Sequence, residues 1–257
     1  MAPNKKAQKN HDELFPGHVS ALAVTDPELI ELFDNFAFDE VLSHSTLDAR
    51  TRLMVQLASM IASQALREYR VMIRPALVVG VTPVEIKEIV YQAVPYVGMS
   101  KVFDFIHATN EVLKENGVEF PLPGQSTTTP ENRAEKGLAV QKQIIGDGVV
   151  EKLYASAPED QKHIQQFLSA NCFGDHLTRS GIDLPTRELL TFSMLVCLGG
   201  CDPQVKGHVA ANLHVGNSRA RLVDVLTQLL PFIGYPRTLN GLRAVDEVTS
   251  PESKKSP

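Results

Sequence analysis

The chain has 257 residues and a net charge of −5, with 43% hydrophobic and 21% charged residues. That is the balance of a globular protein long enough to bury a sizeable core. The acidic sign excludes a nucleic-acid surface, which needs a basic stripe. The basic N-terminus is followed by no apolar segment, so it does not read as a signal peptide. The longest apolar run, near 189–198, falls far short of the roughly 20 residues a membrane span needs. Three cysteines make no disulfide framework, and a reducing cytoplasm is the expected compartment.

From the N-terminus, residues 1–25 read as a tail and helix lead-in, with Lys5 to His11 expected to be loose. Residues 26–120 form a first helical unit. In it Asp48 supplies an N-cap ahead of Thr51-Arg52, and 53–66 shows no strand alternation. Gly80-Val-Thr82 stops one helix and caps the next, which resumes through Glu85-Ile-Lys-Glu-Ile-Val90. Pro95 is expected to break that helix near its end, with Gly98 permitting the turn. The Pro, Gly and Thr content of 121–130 marks a linker. Residues 131–249 form a second unit, in which Asp183 caps a helix with Pro185 in its first turn. The nearly continuous apolar run 189–198 predicts a helix buried on most sides. Gly216-Asn-Ser218, 222–226, Pro231 and Gly234 then repeat the pattern of the first unit, and 250–257 reads as a C-terminal tail. The fold class is all-α: two tandem antiparallel helical bundles.

The two units are copies of one another. A shift of 136 pairs Leu77-Val-Val-Gly80 with Leu213-His-Val-Gly216, Gln92 with Gln228, Pro95 with Pro231 and Gly98 with Gly234. Upstream the shift is 135, pairing Phe38 with Phe173, Asp48 with Asp183 and Thr51-Arg52 with Thr186-Arg187. One extra residue therefore lies between Arg187 and Cys201, and Gly199-Gly200 is the place for it.

One copy becomes the control for the other. Glu188 stands where the first copy has Leu53, Cys201 faces Ala65, and His208 faces Met72. Gln204 faces Glu68, Asn212 faces Ala76, and His214 faces Val78. The fold manages without this polar set in the first copy. Burying such groups is unfavourable unless they are paired, so they serve one another or a ligand. Glu188, Cys201 and His208 fall in consecutive segments that predict facing helices. The seven-residue spacing puts Cys201 and His208 on one face, provided Asp202-Pro203 does not intervene. The bland alternative is a hydrogen-bonded core histidine.

The second copy resembles the carboxymuconolactone decarboxylase family, which includes the alkylhydroperoxidase D-like proteins. The resemblance rests on several motifs: 137–147 as the opening helix; Phe173-Gly-Asp175 with Arg179 and Gly181; Thr186-Arg187; His208-Val-Ala-Ala-Asn-Leu-His-Val-Gly216; and Gly234-Tyr-Pro-Arg-Thr-Leu-Asn240. The first copy matches as a degenerate one. The resemblance implies an alkylhydroperoxidase D-like fold and a choice of chemistries. In the decarboxylase reading the substrate is a small carboxylated lactone or keto-type acid. His208 is the acid/base, Glu188 orients it, Arg187 or Arg237 grips the carboxylate, and Asn212 and His214 add substrate contacts. The alternative for Arg187 is an ion pair with Glu188 or Asp183. In the thiol peroxidase reading Cys201 attacks, with His208 and Glu188 relaying protons. Gln204 stands where that branch has its second cysteine, which leaves Cys197, Cys172 or an external thiol to resolve. The third reading is an oligomeric binding protein without turnover. No metal or cofactor is implied. The family's rings imply a homo-oligomer, with a trimer of tandem chains expected and apolar residues such as Leu226, Leu229, Leu230, Phe232 and Ile233 available for it.

Overall fold

The computed structural model describes residues 3–250, and among them all regular structure is helical. The chain opens with α1 (Lys5–Leu14), α2 (Leu22–Thr25), α3 (Pro27–Asn35) and α4 (Val41–Ser43), with a π-helical turn, Phe36–Glu40, joining the last two. The first repeat continues through α5 (Ala49–Ala62), α6 (Leu66–Val78), α7 (Pro83–Val97) and α8 (Met99–Glu115). Then come α9 (Arg133–Ile145), α10 (Asp147–Ser156) and α11 (Lys162–Phe167), which runs into a π-helical stretch, Leu168–Leu177. The second repeat ends with α12 (Leu184–Leu198), α13 (Asp202–His214) and α14 (Arg219–Thr249).

Short polar side chains start the repeated helices, as the sequence predicts. Asp48 accepts from the Thr51 N–H and Asp183 from the Thr186 N–H. Thr82 and Glu85 form a reciprocal capping box, and Ser218 accepts from the Arg221 N–H. Each such cap contributes about 1 kcal/mol. The corners belong to glycine. Gly98 (φ 91°) separates α7 from α8, and its equivalent Gly234 (φ 76°) bends α14 into two segments. Pro95 and Pro231 lie inside helices and do not end them, contrary to expectation. The extra residue is also visible. Gln64 (φ 61°) and Gly199 (φ 70°) are equivalent left-handed positions, and Gly200 (φ 69°) follows without a counterpart.

The core is shared. α5 and α12 pack side by side, buried along nearly their whole lengths, and one hydrophobic cluster runs through both repeats. The two bundles are thus halves of one packed unit. Leu226 and Leu229 are buried in that core, and Phe232 and Ile233 pack against it, so these residues are used within the chain.

Two expectations need correction. Lys5 to His11 is not loose: Asn4 caps α1, Ala7 and Leu14 on one face are buried, and Asn10 Nδ2 donates to Phe38 O at 2.6 Å. The 121–130 segment has linker composition but is pinned to the second repeat. Gln125 O accepts from Ser180 N–H at 3.0 Å, and the Thr127 and Thr128 hydroxyls donate to Thr178 O and Gly174 O. The end of the expected C-terminal tail, 251–257, lies outside the described residues.

Candidate functional site

α12 carries Arg187 and Glu188 side by side, both with 0% exposure. Adjacent helical residues point about 100° apart and cannot face one another. Each therefore takes its partner from a different helix. Arg187 turns to the first repeat: Nη2 donates to Glu88 Oε2 at 2.9 Å and Nη1 to Gln92 Oε1 at 3.0 Å, both on α7. Its Nη2 also reaches the carbonyls of Arg179 and Ser180. Arg179 makes a second, forked pair with Glu88 at 2.8–3.0 Å. The expected partners, Glu188 and Asp183, are not used. Sequence offers no signal for a salt bridge 99 residues away.

Glu188 turns to α13. His208 Nδ1 lies 2.8 Å from Glu188 Oε2, and the His208 side chain is 15% exposed while Glu188 is sealed in. With Glu188 as the acceptor, Nδ1 is the donor and Nε2 is left for other work. Asn212, one turn beyond His208, secures the arrangement from behind. Its Nδ2 donates to His208 O at 2.7 Å and Glu188 O at 3.1 Å, and its Oδ1 accepts from Asn217 Nδ2 at 2.9 Å. Asn212 is buried and works on backbone groups, which makes it a positioning residue.

The first repeat supplies a wall. The Tyr96 ring meets the His208 ring edge-on, with centroids 5.8 Å apart. Its hydroxyl points inward beside Thr191, Cys172 and Glu188, buried and without a hydrogen-bond partner of normal geometry. Burial, then the charges of Cys172 and Glu188, push that phenol well above its ordinary range, so it stays protonated. Glu188 Oε1 is likewise buried and unpartnered. Burial also pushes the Cys172 thiol up to about 12, a value the Tyr96 hydroxyl lowers and Glu188 raises.

Tyr96 was missed because the repeat comparison looked only for polar residues in the second copy. Run the other way, it pairs Tyr96 with Phe232 and exposes the signal. The equivalents of the four clustered residues Glu188, His208, Cys172 and Tyr96 are Leu53, Met72, Ala37 and Phe232. Every polar member has an apolar twin.

The remaining predicted residues lie elsewhere. Cys201 is the residue before α13, not part of it, and Pro203 sits in the helix's first turn. Its thiol donates back to Leu195 O at 3.3 Å and makes no hydrogen bond with His208. Burial and the neighbouring Asp202 push this thiol up, while Arg237 opposes them. Cys197 is buried and pushed up to about 12. All three cysteines are free thiols. Arg237 lies over Gly199 at the C-terminal end of α12, where a cation complements the helix dipole, and its Nη1 is buried without a partner. His214 is exposed, near the Gly146 turn. Among the described residues, no group of three or more His, Cys, Asp or Glu is gathered as metal ligands would be.

The model of the carboxymuconolactone decarboxylase family matches twice, over residues 27–111 and 163–247. The chain belongs to the carboxymuconolactone decarboxylase family. Its tandem character is that of the family domain present in two copies, and α9, expected as part of the second copy, lies outside the matched span. Among curated relatives, a 4-carboxymuconolactone decarboxylase of Acinetobacter baylyi is 25% identical over 118 residues, covering 87% of that protein and 46% of this chain. No helix among the described residues of this family member is long and apolar enough to cross a membrane.

The first copy supplies the substitutions that test the pair. His208→Met alone leaves Glu188 buried without its partner and is expected to lower stability by about 3 kcal/mol. Adding Glu188→Leu converts both positions to their first-repeat residues and should restore most of that loss. Urea unfolding of the two singles and the double gives the coupling; additive effects would contradict the pairing.

Proposed function

We propose that this chain is a carboxy-lyase acting on a small carboxylated lactone or keto-type acid, with His208 as its acid. One observation carries the reading: a sealed carboxylate holds Nδ1 of a histidine whose ring still reaches the surface. The step balances simply. Cleavage of the C–C bond to the carboxylate releases carbon dioxide and leaves the electron pair on carbon as an enolate. The His208 imidazolium gives its Nε2 proton to that carbon, and solvent returns the proton through the exposed edge of the ring. Glu188 fixes the ring, while Tyr96 walls the approach. Of the two arginines considered for the substrate carboxylate, Arg187 is sealed in and engaged with Glu88, which leaves Arg237 as the candidate. The thiol peroxidase reading is weaker. An attacking cysteine needs a thiolate, and Cys201 is shifted the wrong way and turned from His208. Three free thiols suit the cytoplasm.

His208→Ala is expected to lower carbon dioxide release from carboxylated lactones by about 10²- to 10⁴-fold. Cys201→Ser should stay near wild type, and in the wild type the Cys201 thiol should react with iodoacetamide at pH 7 more slowly than free cysteine, gaining only as the pH is raised. Hydroperoxide consumption that vanishes in Cys201→Ser would reverse the assignment.

The homo-oligomer belongs to the same proposal, on different residues from those first expected. Exposed apolar side chains recur at equivalent positions in both repeats: Leu29 with Ile164, Leu32 with Phe167, Met99 with Tyr235 and Phe103 with Leu239. Each pair is spaced three or four residues along its helix, so the same two stripes are left uncovered twice. A trimer of tandem chains would cover them in equivalent contacts. Sedimentation at micromolar concentration should give a mass several times 28.2 kDa, and a monomer alone would contradict it.

A further inference from the structure

A second cluster of polar residues, away from the His208 pair, breaks the repeat rule in the opposite direction. Here it is the first copy that carries the charges. Lys87, Tyr91 and Lys114 stand where the second copy has Val223, Thr227 and Ser250. These three line a cleft of about 680 Å³ between α7, α8 and residues 120–125, with Asn110, Phe120 and Arg179 completing its walls.

Lys87 is the informative residue. It is 8% exposed, yet it has no carboxylate partner. Its ammonium makes one hydrogen bond, to Asn110 Oδ1 at 2.7 Å, and lies 5.1 Å from the Tyr91 ring centre and 6.0 Å from that of Phe120. An ammonium has three donors, so two remain to be satisfied. The acidic side chains on the same cleft are already neutralised: Glu88 by Arg179 and Arg187, and Glu111 by Arg70. Lys114 makes no ion pair. The uncompensated charge of the cleft is therefore positive, and it is set among aromatic rings. Burial pushes the Lys87 ammonium below its ordinary range, as expected of a cation sealed in without its counter-ion. Val223 shows that the fold does not require a cation at this position.

We infer that this cleft binds a small organic anion with a flat ring, its carboxylate on Lys87 and Lys114 and its ring against Phe120 and Tyr91. This site is separate from the proposed decarboxylation centre and does not depend on that reading. It is nonetheless connected to it. Arg179, on the cleft wall, and Arg187, next to Glu188, grip the same Glu88 carboxylate.

Benzoate is the probe, titrated calorimetrically into the full-length chain. Saturable binding is expected, weakened by about tenfold or more in Lys87→Val, since a charge-assisted hydrogen bond contributes about 1.5–3 kcal/mol. Binding should persist in His208→Ala. Lys87→Val takes the residue of the other copy, so it should fold, and a thermal midpoint at or above wild type verifies that. Cyclohexanecarboxylate and inorganic phosphate test the ring. No saturable binding of benzoate, equal binding by Lys87→Val, equal affinity for phosphate, or loss in His208→Ala would each overturn the inference.

Discussion

A charge sealed on α12 must find its counter-charge inside the protein. α12 carries two, Arg187 and Glu188, both at 0% exposure. Because neighbours on a helix diverge, they cannot neutralise each other, and each reaches to a different side. Arg187 ties α12 to α7 of the other repeat through Glu88 and Gln92. Glu188 ties it to α13 of its own repeat through His208. Breaking a buried pair by removing one partner costs about 3–5 kcal/mol, so the two ties hold α12 in one rotation about its axis. The position of His208 follows from that rotation. So does the placing of Tyr96, which comes from the α7 that Arg187 grips.

The duplication shows what the fold requires and what it does not. At the positions of Glu188, His208, Cys172 and Tyr96 the equivalent residues are Leu53, Met72, Ala37 and Phe232, and the first three of these are buried. At these four positions the equivalent helices pack without charge. The candidate centre is thus a polar replacement at four places the architecture can fill with hydrocarbon, and its residues come from both copies. Tyr96 belongs to the first, the others to the second. Loss of polarity in one copy is compatible with stability because apolar side chains of similar volume replace a buried pair with little or no penalty. It also leaves the first copy free to gain a different polar set at Lys87.

Much of this was legible in the sequence, for local reasons. The caps at Asp48, Thr82, Asp183 and Ser218 act within three residues, and the glycine corners at Gly98 and Gly234 act within one. The meeting of Glu188 and His208 follows from two consecutive helices joined by a short loop. What was not legible acts over distance or through orientation. Glu88 as the partner of Arg187 is set by how α7 crosses α12, which spacing does not encode. Cys201 shares a seven-residue interval with His208, but the interval has no meaning because Cys201 precedes the helix and its thiol turns back to Leu195. α1 was hidden by its charges, since only Ala7 and Leu14 of its ten residues are buried.

The proton on His208 is the most direct test. Nitrogen-15 spectra of the imidazoles, assigned with His208→Ala, report which ring nitrogen is protonated in the neutral form. Donation to the buried Glu188 carboxylate requires the Nδ1–H tautomer, and the preference should vanish in Glu188→Leu. A neutral His208 that is mainly Nε2–H, or one indifferent to Glu188→Leu, would mean that the pair does not hold the ring and that the acid lies elsewhere.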